Sequence, residues 1–151
     1  MEKHLMTSIT IDSKQNLIAF YQLATVVKAK GKQSRAVTKF GKLLLEKCTE
    51  LQEDEKELIA QYFEVKEDGN ANKDDIGQPI LLGGASESEY NSEWVNLHDE
   101  PTVIDITEYQ PYLESLIKGL EEWDQELSGT DAIIYDELLD LLESIENKDA
   151  E

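Results

Sequence analysis

Hydrophobic positions recur along this chain with two periods, and the periods predict its elements. Ser8-Ile9-Thr10-Ile11 alternates polar and apolar, as a half-buried strand does. Leu17, Phe20, Tyr21, Ala24 and Val27 then step by three and four. That predicts a helix from Lys14 to about Ala29, with Asp12 or Ser13 as N-cap and Gly31 closing its end. Val37, Phe40, Gly41, Leu44, Cys48, Leu51, Leu58, Ile59 and Tyr62 continue the helical period over 33–63, interrupted at Glu55, a point that faces solvent if the second half projects from the domain. A break near Thr49 to Asp54 is the competing reading. Residues 66–79, KEDGNANKDDIGQP, are turn chemistry, flanked by FEV and PILL segments that suit a small hairpin or an irregular excursion. Ser86 and Glu89 form a capping-box pattern ahead of a short helix at about 87–97, with Tyr90, Trp94 and Leu97 (or Val95) on one side. A second strand, Thr102 to Ile106, is expected to pair with the first. Thr107 then caps a helix over about 108–127, and a turn at 128–131 leads to a last helix over about 131–147. No internal repeat is visible.

These elements predict a mainly α fold with a small β ribbon, in which two antiparallel helical hairpins surround one long helix. One acidic domain spans 1–147: a basic helical hairpin at 13–63, a turn, short helix and strand at 64–106, and an acidic helical hairpin at 107–147. Residues 148–151 read as a disordered tail. A single cysteine, Cys48, precludes an intrachain disulfide, and no run approaches the ~20 apolar residues of a membrane-spanning helix. With no secretory pattern at the N-terminus, a reducing cytoplasm is the expected location, ahead of a periplasm.

Charge changes the picture. Residues 1–48 hold nine Lys and Arg against three Asp and Glu, a net of +6; the remainder carries −25, and the whole chain −19. Such a field repels phosphate backbones and anionic lipid, and attracts basic partners. Its candidate docking acids are Glu114, Glu121, Glu122, Asp124, Glu126, Asp136, Glu137, Asp140 and Glu143, with Trp94, Tyr109 and Tyr112 as possible interface anchors. A basic strip, Lys28, Lys30, Lys32, Arg35, Lys39, Lys42 and Lys47, is expected to be neutralised within the chain by acids of the C-terminal hairpin. Direct nucleic-acid contact is disfavoured.

Candidate chemistry is sparse. The loop from Asp68 fails as a calcium site, with Lys73 where glycine belongs and Pro79 where a bidentate glutamate belongs. His4 and His98 lack helical His or Cys mates and read as surface or capping residues. Cys48 reads as a small buried hydrophobe. Gly83-Gly84-Ala85-Ser86 lacks the lysine of a phosphate loop. No catalytic, metal or cofactor residue is assigned.

Three segments, SRAVTKFGKLLLEKCTEL (34–51), ELIAQYFEVKEDGN (57–70) and EWVNLHDEPTVIDI (93–106), together resemble an uncharacterised family of small phage and prophage proteins of Gram-positive bacteria. The resemblance spans residues 31–106, with the C-terminal hairpin beyond the family's usual pattern. It implies a viral origin and transfers no site residue. The functional expectation is a non-enzymatic interaction protein of the host bacterial cytoplasm that binds and inhibits or redirects a basic host or defence protein. The alternatives are a DNA mimic that occupies a nucleic-acid-binding enzyme, and a phage structural or assembly protein; a homo-oligomer is compatible with each.

Overall fold

A computed structural model describes the backbone of residues 7–149 and the side chains of residues 7–145. Within it the order is β1 (Ser8–Ile11), α1 (Lys14–Val26), α2 (Gly31–Tyr62), α3 (Glu87–Asp99), β2 (Thr102–Asp105), α4 (Gln110–Glu122) and α5 (Gly129–Asp149). The fold is mainly helical, with one two-stranded antiparallel sheet.

β1 and β2 pair with Ile9 opposite Ile104 and Ser8 opposite Asp105. The alternation works as the pattern predicts: Ile9, Ile11, Ile104 and Ile106 are buried, while Val103, 55 % exposed, faces out. Ser13 is the N-cap of α1, its hydroxyl accepting from the Asn16 N–H at 3.2 Å. α1 ends earlier than its period predicts. Val27 turns extended and packs against the core, and Lys28 to Lys30 form the link. Gly31 therefore does not close α1. It uses its positive φ of 54° to enter α2.

α2 is continuous over 32 residues, about 48 Å at 1.5 Å per residue, so the break near 49–54 does not occur. Its first half belongs to the core. Ala36, Val37, Phe40 and Leu44 pack there with Leu17, Phe20, Leu113, Leu116, Leu120, Leu138 and Leu142. α1, α4 and α5 surround this cluster; α1 and α4 rest on α2, and α5 rests on α4 and α1. Gly119 lets α4 approach α2 closely, because a Cβ there would lie 3.3 Å from Gln33 Cβ. α4 is shorter than expected at both ends. Thr107 does not cap it: its hydroxyl accepts from the Thr7 N–H at 2.9 Å and donates to Asp105, while Pro111 occupies the first turn. At the other end the Tyr135 hydroxyl takes the Leu120 carbonyl, and Trp123 leaves the helix to lie beside the Tyr135 ring. Residues 123–128 carry no regular structure.

The second half of α2 carries α3, through a chain of rings. Phe63 meets Tyr90 edge-on at 4.8 Å, Tyr90 meets Trp94 at 5.9 Å, and Trp94 meets His98 at 4.5 Å. Ser86 caps α3 as the capping-box pattern predicts.

The excursion between α2 and α3 is a repeat, which the sequence does not display. Three segments eight residues apart close on one another by backbone bonds: Glu64 N–H donates to the Ile80 carbonyl, Ile80 N–H to Asn72, and Asn72 N–H to Glu64. Antiparallel bridges join Phe63 to Leu81, Ala71 to Val65 and Pro79 to Lys73. Each segment then turns on an equivalent bond, from Gly69 to Lys66, Gly77 to Asp74 and Ala85 to Leu82. The pseudo-threefold symmetry lives in the backbone, while the side chains differ almost everywhere.

Candidate functional site

Every predicted docking acid is exposed: Glu114, Glu121 and Glu122 on α4, Asp124 and Glu126 in the link, and Asp136, Glu137, Asp140 and Glu143 on α5. The apolar stripes take the core-facing positions, which leaves the acids outward. Few have partners. Glu114 pairs with Lys118 at 3.2 Å, Glu122 accepts from the Gln33 amide at 2.9 Å, and Glu137 from the Asn16 amide at 3.5 Å. Glu121, Asp124, Glu126, Asp136, Asp140 and Glu143 make no hydrogen bond or ion pair among the described residues.

The predicted anchors divide. Tyr109 is core, 6 % exposed, with its ring against Phe40 and its hydroxyl donating to the Ala36 carbonyl at 2.6 Å. Burial raises its phenol far above the ordinary range. Tyr112 is half-buried, with the Lys39 ammonium 5.1 Å from its ring centre. Trp94 is half-buried within the ring chain of α3.

Internal neutralisation of the basic strip is not what the fold builds. Lys47 pairs with Glu50, its neighbour on α2, at 3.5 Å. Lys28, Lys30, Lys32, Arg35, Lys39 and Lys42 are exposed and form no ion pair among the described residues. Lys28, Lys30 and Lys32 edge a hollow of about 460 Å³ beside Gly119 and Glu122. At the other end of α2, Asp54, Glu57, Glu93 and Glu100 edge a cleft of about 300 Å³ against α3. Between these ends runs a single exposed stripe: Lys32, Arg35, Lys39, Lys42, Glu46, Glu50, Glu53, Glu57. Its steps of three and four keep it on one face, away from Phe40, Leu44 and Leu51. The four cations precede the four acids without interruption.

His98 holds a role the sequence hides. Its Nδ1 lies 2.8 Å from the Trp94 carbonyl and its Nε2 2.9 Å from Glu55. The ring thereby bridges the α3 backbone and a carboxylate of α2. Glu55, expected to face solvent if the second half of α2 projects, is instead half-buried and ties α2 to α3. The signal was a glutamate breaking an apolar stripe, which is legible only once its partner 43 residues away is known.

The remaining candidates are absorbed by local structure. Asp68 accepts from the Asn70 N–H and amide, and Asp74 from the Ile76 and Gln78 N–H groups, so both carboxylates serve their own turns. Half-buried Cys48 has its thiol pushed up by burial, which disfavours the nucleophilic thiolate. Among the described residues no group of three or more His, Cys, Asp or Glu side chains is placed to hold a metal ion, and no helix is long and apolar enough to cross a membrane. His4 lies outside the described residues.

Comparison with protein families matches residues 7–151 to DUF1617, described as a protein of unknown function. The chain belongs to the DUF1617 family. The match reaches well beyond residues 31–106 and takes in α4 and α5, so the C-terminal helices are part of the family domain and not an addition to it. No curated protein and no solved structure matches the chain.

Proposed function

We propose that this protein is a non-enzymatic interaction protein of phage or prophage origin, acting in the host bacterial cytoplasm. It binds a basic host or defence protein through the acids of α4, the following link and α5, and so inhibits or redirects it. In the same reading, α1 with α2 and α4 with α5 form two antiparallel hairpins. The observation that carries the reading is the outward array of Glu121, Asp124, Glu126, Asp136, Asp140 and Glu143, carboxylates that make no hydrogen bond or ion pair among the described residues. Charge kept outward and unpaired steers a cationic partner and speeds encounter.

The test is capture from host lysate at low and high salt with the wild type and with Asp136, Asp140 and Glu143 changed to lysine. A specific cationic protein retained at low salt, released at high salt and lost by the variant supports the reading. Equal retention by the variant, with its helicity intact, ends it. Release of the captured protein by added DNA would mark a charge mimic of nucleic acid.

A further inference from the structure

The exposed stripe of α2 is arranged against the preferences of a solitary helix. Cations sit at its N-terminal end and acids toward its C-terminal end, the reverse of what the helix dipole favours. Its first turn holds no acid and its last turn no base. Neighbours along the stripe also repel: Arg35 with Lys39, Glu46 with Glu50, and Glu53 with Glu57 are like charges four residues apart. Within the fold the relief is slight: Lys47 pairs with Glu50 at 3.5 Å and Lys39 lies over the Tyr112 ring, but among the described residues none of Lys32, Arg35, Lys39 and Lys42 pairs with an acid.

The order of charges becomes favourable against one particular surface, namely itself. Laid antiparallel on a second copy, the stripe sets Lys32 opposite Glu57, Arg35 opposite Glu53, Lys39 opposite Glu50 and Lys42 opposite Glu46. Each pair then occurs twice about a two-fold axis that crosses α2 near Leu44 and Leu45, as an isologous interface requires. The two hollows follow the same rule. The lysine-edged hollow at 28–32 meets the cleft edged by Asp54, Glu57, Glu93 and Glu100 on the other copy. Opposite charges also come to face each helix end with the sign its dipole favours.

We infer that the exposed face of α2 is a homodimer interface, in which two copies pair antiparallel along the stripe from Lys32 to Glu57. Apart from Glu122, which borders the lysine-edged hollow and accepts from Gln33, the interface is separate from the acids of α4 and α5. It leaves them outward for another partner, and it does not depend on the function proposed for them.

The test is a charge swap on the full chain, read by light scattering and sedimentation velocity near physiological salt, with helicity checked by circular dichroism. The wild type is expected at twice the 17.2 kDa chain mass. Arg35→Glu with Lys39→Glu sets like charges opposite one another and is expected to halve that mass. Adding Glu50→Lys and Glu53→Arg to the same chain restores opposite charges at each crossing and is expected to restore the dimer. A wild type that stays monomeric at every concentration overturns the inference. So does a doubly reversed variant that stays dimeric, or a four-fold swap that does not regain the dimer. A monomer that binds a DNA oligonucleotide through the same cations would assign the face to nucleic acid and overturn it equally.

Discussion

Single side chains in this protein hold elements together by filling backbone needs at a distance. The Tyr109 hydroxyl reaches the Ala36 carbonyl from the start of α4 to α2. Tyr109→Phe keeps the ring and removes that bond, and should lower unfolding free energy by about 1 kcal/mol, measured by denaturant titration. Asp68 acts locally. The Asn70 backbone N–H holds its carboxyl below the ordinary aspartate range; desolvation, next in size, opposes it, and the Asn70 side-chain amide, Lys66 and Lys56 add to the lowering. A lowered folded value means the carboxylate supports its turn fully above the ordinary aspartate range, and that support is lost as pH falls through the lowered value. Amide exchange at Asn70 should therefore accelerate with acid earlier than exchange in α2, once intrinsic rates are removed. Asp68→Asn should abolish the difference.

At the scale of elements, both strands, the N-cap at Ser86, the first N-cap to within Asp12 or Ser13, and the core positions Val37, Phe40, Leu44 and Leu51 of α2 were legible in the sequence, because each rests on a period or a local capping pattern. Helix ends were less so. α1 stops at Val26 because Val27 has a core site to fill, and α4 stops at Glu122 because Tyr135 takes its terminal carbonyl. Both causes lie far away in the chain. Thr107 has the right residue type for an N-cap, but the Thr7 N–H claims its oxygen. Of the candidate site, the exposure of the acids followed from the stripes, whereas the burial of Tyr109 and the bond from His98 to Glu55 needed tertiary neighbours. The closeness of α4 to α2 makes a further expectation specific. Gly119→Leu forces a side chain toward Gln33, Val37 and Ala29 and should destabilise by about 1–3 kcal/mol, read as a lower melting temperature. Leu44→Ala, at a fully buried position, should cost about 2–5 kcal/mol in the same assay.

For the molecule as a whole, charge of one sign dominates. With −19 on 151 residues, the folded state works against its own repulsion, and among the described residues only a few acids are paired. Screening should relieve this. Melting temperature is expected to rise from ~10 mM to ~500 mM sodium chloride, as the Debye length falls from about 30 Å to less than 8 Å. A melting temperature that fell over that range would mean that attractive pairs outweigh repulsion in the folded state.

The ring of bonds joining Glu64, Asn72 and Ile80 closes through main-chain atoms alone. Its shape therefore makes few demands on residue identity beyond the turn carboxylates of Asp68 and Asp74 and the glycines at 69, 77 and 84, whose φ values of 84–85° favour a residue without a Cβ. Substitutions at the outward positions should leave the same small three-cornered cap in place. That makes the cap a natural place to graft an epitope while the helices beneath stay unchanged.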